Sequence, residues 1–205
     1  YNVAAVFCRG KLLGLTAKSH IPNYSEFYEA RHFSPAPDTP IPVTFCGQET
    51  LLGRERIYSC ADAPEFTVGV EICEDLWVPE PPSSRMAQCG ATVLLNPSAS
   101  DEVIGKANYR RSLVRDQSAR LFCAYADAGE GESSTDLVFA GHDLLAENGA
   151  ILAESQPFTT GLVTAEVDLQ RLVQERRRAN TWADRFDGPA PIPFSLSLSL
   201  IHISE

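Results

Sequence analysis

The feature that most constrains the fold is a series of changes in hydrophobic period through the middle of the chain. Phe66 to Ile72 reads as a strand, and Arg85 to Cys89 as a short helix that Ser83 or Ser84 caps and Gly90 closes. Ala91 to Leu95, "ATVLL", is a continuous apolar run of the kind found where a strand is covered on both faces. Lys106 to Leu121 then carries Leu113, Val114, Ala119 and Leu121 on a helical period, and Phe122 to Ala126 returns to strand. Val138 to Ala146 and Ile151 to Glu154 flank the turn "ENGA" as a hairpin. Strands alternating with helices and followed by a hairpin indicate an α/β layered sandwich.

The flanks are less regular. Tyr1 to Phe7 and Leu12 to Thr16 read as strands around the turn "CRGK", and a chain that starts on a core strand is expected to be truncated there. Ser34 to Pro42 holds four prolines, which exclude helix and central strand, so a loop is expected and its length suits a functional flap. Gly161 to Val167 reads as a last strand, with Asp168 capping a helix to about Asn180. Residues 1–193 form the expected domain. From Phe194, "FSLSLSLIHISE" alternates without a turn partner and is expected to be a non-native tail.

With 205 residues the chain can bury a proper core. Its formal charge of −10 opposes a phosphate backbone, so nucleic acid is not an expected partner. No run of about eighteen apolar residues suggests a membrane span. The six cysteines show neither a C-x-x-C pair nor histidines at finger spacing, which argues against a metal site and fits reduced thiols in a cytoplasmic protein.

Cys73 sits just past a strand, where α/β sheets place ligand sites. It is flanked by Glu71, Glu74 and Asp75 in "VGVEICEDLW". These acids disfavour a thiolate, so Cys73 is either a packed core thiol or a nucleophile offset by a cation. Lys18, closing a mostly apolar strand, is either a surface lysine or an oxyanion-stabilising cation. Glu26 and Glu29, three apart, are expected on one helix face.

"AKSHIPNYSEFYEARHF", "VGVEICEDLW", "LLNPSAS" and "GEGESSTDLVFAGHDLLAENGAILAES", in that order, resemble the glutaminase domain of glutamine-dependent NAD synthetases, within the nitrilase or carbon-nitrogen hydrolase superfamily. The resemblance covers Tyr1 to about Phe194. It implies an αββα four-layer sandwich, incomplete at the N-terminus, and a Glu, Lys, Cys triad in which Cys73 is the nucleophile and Lys18 stabilises the tetrahedral intermediate. The family's general-base glutamate falls before Tyr1. Tyr24, Ser100 and Lys106 match glutamine-binding positions, and either Glu26 or Glu29 is expected to orient Lys18. The acidic loop Glu130 to Ser134 is expected at the site entrance.

The implied activity is release of ammonia from L-glutamine through a Cys73 thioester, to amidate deamido-NAD in a separate domain. No cofactor is implied for this domain; ATP and magnesium belong to the synthetase domain, which is the expected partner within one longer chain. A homo-oligomer is expected for that longer chain. A nitrilase-type amidase acting on another small amide, or an inactive fragment lacking its base, are the alternatives. His20 and Ile21 depart from the aromatic and Leu usual in this motif.

Overall fold

The computed structural model describes residues 1–129, 133, 137–184 and 187–197. Two sheets organise them. The larger is ordered β10-β9-β8-β7-β6-β5-β11, from β5 (Ile57–Cys60), β6 (Thr67–Val70), β7 (Val93–Ser98), β8 (Ala124–Gly129), β9 (Leu144–Glu147), β10 (Ala150–Glu154) and β11 (Ile192–Phe194). The smaller is ordered β1-β2-β4-β3, from β1 (Val3–Cys8), β2 (Lys11–Ala17), β3 (Ile41–Phe45) and β4 (Gln48–Gly53).

β6, β7 and β8 run parallel, joined by α1 (Pro82–Gln88) and α2 (Lys106–Leu121). This is the arrangement a strand-helix alternation requires, because parallel neighbours need a crossover long enough to return the chain. The helices pack on one face of the large sheet through Met86, Leu94, Val114 and Leu144, all fully buried. Each such side chain contributes about 1.5–3 kcal/mol by leaving water. Gly69 makes the close fit possible, since a Cβ there would lie 2.9 Å from Leu94 and 3.0 Å from Met86. A third helix, α3 (Leu169–Arg178), sends the buried Arg176 to the carbonyls of Ala87, Ala91, Leu121 and Phe122, at or just past the C-terminal ends of α1 and α2. The guanidinium fork supplies donors to carbonyls at and just beyond these helix ends, where intrahelical partners run out; Ala87 O also accepts the Gly90 amide at 3.0 Å.

The small sheet covers the other face of the large one. Leu13, Tyr58, Val68 and Val70 fill the space between the sheets. Gly14 is required by this approach, because a Cβ there would lie 2.8 Å from the Tyr58 hydroxyl. Leu13 is the extra residue at the register shift in the β1–β2 pair, and the shift lets Leu12 and Leu15, three apart, share the outer face while Leu13 faces inward. On the outer face Leu12, Leu15, Ala17 and Leu52 gather with Ala36 and Ile41. The described residues therefore build three layers, helices, sheet and sheet.

Several expectations need correction. Ser34 to Pro42 is not wholly loop: Ile41 and Pro42 open β3, which tolerates a proline because it lies at the sheet edge. Gly161 to Val167 forms no strand and is largely exposed, with no sheet edge paired to it. Pro81, not Ser83 or Ser84, precedes α1. Phe122 does not open β8; it ends α2 in a left-handed conformation, φ +44°. Of the expected first hairpin strand, Val138 to Ala146, only Leu144 to Ala146 is strand, and Glu147 and Ala150 of the expected turn extend the two strands; Asn148 at φ 44° and Gly149 at φ 86° have the positive angles such hairpins need. β11 straddles the expected 193/194 boundary: Phe194 pairs with Cys60 and meets the Phe66 ring edge-on. The expected tail from residue 198 and most of the acidic loop Glu130–Ser134 lie outside the described residues.

Candidate active site

Cys73 begins a 3-10 turn, Cys73–Leu76, separated from the end of β6 by Glu71 and Ile72. Its φ is +48°, a left-handed conformation that costs a non-glycine residue energy and survives only where surroundings hold it. Two side chains do so. The Cys73 amide donates to Asn96 Oδ1, while Asn96 Nδ2 donates to the Tyr125 hydroxyl at 3.1 Å. Asp75, 1% exposed, accepts the Ile72 amide at 3.0 Å.

Asp75 also reaches the other sheet. It accepts the Ser19 amide at 3.1 Å, the His20 amide at 2.8 Å and His20 Nδ1 at 2.9 Å. One carboxylate thereby joins the strand end that carries Lys18 to the turn that carries Cys73. Lys18, itself 1% exposed, donates to both oxygens of Glu29 at 2.8 Å. Cys73, Lys18 and Glu29 line one cleft of ≈ 450 Å³ together with Asn2, Ser98 and Ala99.

The three acids flanking Cys73 all point elsewhere. Glu71 turns into the protein, accepting from the Tyr125 hydroxyl and from the Ser83 amide at 2.7 Å. Burial pushes its carboxyl up to about 7, against the pull of those two donors. Glu74 accepts from the Tyr24 hydroxyl at 2.8 Å, and Asp75 is engaged as above. The Cys73 thiol is raised chiefly by burial; the Ser98 hydroxyl, the Lys18 ammonium and the Ala99 amide pull it down, and Asp127 opposes them. The Lys18 ammonium on the far wall thus pulls the thiol toward ionisation, but burial outweighs it, and the flanking acids are engaged by other partners.

Of the anticipated residues, Cys73, Lys18 and Glu29 meet in the cleft, whereas Tyr24, Ser100, Lys106 and Glu26 do not line it; Tyr24 bonds Glu74, the neighbour of Cys73 in the chain. Burial and the Glu74 bond push the Tyr24 phenol up to about 12. Lys106 opens α2, pairs with Asp101 and lies 5.7 Å from the Phe27 ring and 5.2 Å from the Trp77 ring. Ser100 accepts from Arg110 at 3.2 Å. Glu26 stands apart. It does not share a helix face with Glu29, because Ser25 takes φ +50° and the short 3-10 turn of this segment covers Glu29–Arg31 without Glu26. The residues sequence reasoning missed are Asp75 as the joint between the sheets, Asn96, Ser98, Arg110 and Tyr125; only the strand-end position of "LLNPSAS" pointed near two of them.

Among the described residues no group of three or more His, Cys, Asp and Glu could hold a metal, and no helix is long and apolar enough to cross a membrane.

A cysteine on a strand-to-turn bend facing a buried lysine held by a glutamate, on two packed sheets, defines a class. The chain matches the carbon-nitrogen hydrolase family over residues 1–177 and belongs to it. The glutamine-dependent NAD(+) synthetase of Mycobacterium tuberculosis (strain ATCC 25618 / H37Rv) is 45% identical over 188 residues, which is 90% of this chain and 28% of that protein. That of Aquifex aeolicus is 26% identical over 201 residues, 98% of this chain and 32% of its own length. The chain therefore spans under a third of these relatives. The structure of a glutamine-dependent NAD(+) synthetase from Cytophaga hutchinsonii superposes with TM-score 0.67 at 27% identity, over 80% of this chain and 26% of that one. A carbon-nitrogen hydrolase from Helicobacter pylori G27, TM-score 0.69 at 22% identity, covers 90% of this chain and 62% of its own, and bears on the fold alone.

Proposed function

We propose that this chain is the glutamine amidohydrolase portion of a glutamine-dependent NAD synthetase. The observation that carries the reading is the shared cleft of Cys73 and Lys18, with Lys18 held by Glu29. The Cys73 sulfur attacks the side-chain carboxamide carbon of L-glutamine, and the Lys18 ammonium stabilises the oxyanion as charge develops. The tetrahedral intermediate collapses to a thioester as the nitrogen takes a proton and leaves as ammonia. Water then cleaves the thioester to glutamate and restores the thiol. The base glutamate of the resemblance has no counterpart among these 205 residues, so the reading assigns this chain the nucleophile and the oxyanion cation.

In this reading the ammonia amidates deamido-NAD in a synthetase domain that uses ATP and magnesium. The longer chain is a cytoplasmic homo-oligomer. The similarity to synthetases over 90% of the chain supports glutamine over another small amide.

The test is covalent capture. A chloromethyl ketone analogue of L-glutamine should label Cys73, by displacement of chloride, ahead of the other five cysteines. Peptide mapping by mass spectrometry locates the adduct. A folded chain without label on Cys73 would sink the reading.

A further inference from the structure

The buried centre beside the cleft is Arg110, on α2 and 2% exposed. Its Nη2 donates to Ser100 Oγ at 3.2 Å and to the Asp101 carbonyl at 3.3 Å. Nη1 and Nη2 share Glu102 Oε2 at 3.2 and 3.1 Å. Nη1 also meets His142 Nδ1 at 3.0 Å, and His142 Nε2 meets Glu154 Oε1 at 2.8 Å. One guanidinium thus fixes three consecutive residues, 100 to 102, immediately after the cleft-lining Ala99. Asp101, whose backbone it holds, pairs through its side chain with Lys106.

The chemistry of guanidinium settles the direction of these bonds. Arginine has donors only, so Ser100 Oγ accepts, and the serine's own O–H is left to donate to something else. By the same logic His142 accepts at Nδ1 and carries its hydrogen at Nε2, toward Glu154. The Ser100 O–H and the Lys106 ammonium, which opens α2 and is already paired with Asp101, together suit an anionic acceptor.

Resting on the glutamine reading above, we propose that Arg110 is a positioning residue that makes the Ser100–Lys106 loop read the α-carboxylate of the amino-acid substrate. It touches no substrate atom. It sets the polarity of Ser100 and the place of the backbone whose Asp101 steers Lys106. The loop then selects amides that carry a free carboxylate at the far end from the scissile bond.

The experiment compares two electrophiles on Cys73: the chloromethyl ketone analogue of L-glutamine and its α-methyl ester. Each alkylates by forming the S–C bond and releasing chloride, and each rate is divided by that with iodoacetamide, which has no carboxylate to recognise. The natural chain should prefer the free carboxylate by about tenfold, the worth of one charge-assisted contact. Arg110→Met should reduce that preference to within about twofold, and Arg110→Lys should leave an intermediate value, since an ammonium cannot span the same acceptors as a fork. Should Arg110→Met fail to fold, Arg110→Lys and Ser100→Ala decide, both being expected to lose at least half of the preference. A natural chain without preference overturns the glutamine reading and this inference together. A preference that is present in the natural chain and survives in the foldable Arg110 variants overturns the inference alone.

Discussion

The two walls of the cleft are built to different standards. The Cys73 wall rests on the seven-stranded sheet, with helices packed behind it and side-chain bonds from Asn96 and Ser98 reaching the backbone and sulfur of the nucleophile. The Lys18 wall rests on the four-stranded sheet, whose outer apolar cluster is joined by Ala36 and Ile41 and by no described helix. Lys18 is held by the backbone of Asn2 and Ala36, by Glu29 and, through its neighbours, by Asp75. A reaction that needs nucleophile and cation in fixed register therefore depends on the few bonds that join the walls, more than on the stiffness of either.

The largest effect is expected at that joint. Asp75→Asn removes a buried charge that accepts three amides and turns a donor toward at least one of them. Losing charge-assisted bonds and creating a donor clash in a buried site should cost about 3 kcal/mol in urea unfolding. Cys73 alkylation by the glutamine analogue should fall more than about tenfold, because both walls lose their shared anchor. Unchanged alkylation with lowered stability would mean that the walls are registered by something other than Asp75.

The next effect isolates the Lys18 wall. Glu29→Gln leaves a lysine that is 1% exposed with a neutral partner, whereas Glu26 lies on the surface. With Glu29 27% exposed, water screens part of the loss, and about 1 kcal/mol of stability is the expected cost. Alkylation by the glutamine analogue should drop about fivefold in Glu29→Gln and stay within about twofold in Glu26→Gln. Equal effects would abolish the distinction drawn between the two glutamates.

The same contrast between walls appears in what the sequence made legible. α2 was readable to the residue from its apolar period, and the β6 to β8 alternation was readable because helices and parallel strands leave different periods. β3 and β4 were not, since an edge strand carrying Pro42 and exposed on alternate residues looks like loop until its partner is known. At the site, Cys73 and Lys18 were found by their strand-end positions and by resemblance. Asn96, Asp75 and Arg110 escaped as functional residues, because their importance lies in partners that are 23, 56 and 10 positions away in the chain. The fate of the acids around Cys73 is equally non-local: Glu71 faces Tyr125 and Glu74 faces Tyr24, 54 and 50 positions away.

His20 gives the smallest and most pH-sensitive way to probe the joint. Its imidazole is 43% exposed on one side and bonded to Asp75 on the other. The Asp75 bond, with the charges of Asp75, Glu71 and Glu74, raises its pKa above the usual histidine value, and burial works against them. Arg54, Glu55, Glu80 and Arg85 line the groove on its open side and supply two charges of each sign. A histidine whose folded pKa is raised stabilises the fold fully below its unfolded value near 6.5, and that contribution fades as pH rises through the folded value. His20→Asn keeps a donor for Asp75 and removes the titration. The natural chain should therefore exceed the variant by somewhat less than about 1 kcal/mol at pH 5.5, a ceiling set by exposure, and the gap should close by pH 8.5. Added salt should shrink the gap at pH 5.5, since the open side of the ring is screened. A difference that stays constant across this range would show that His20 joins the walls by its hydrogen bond alone, with its charge playing no part.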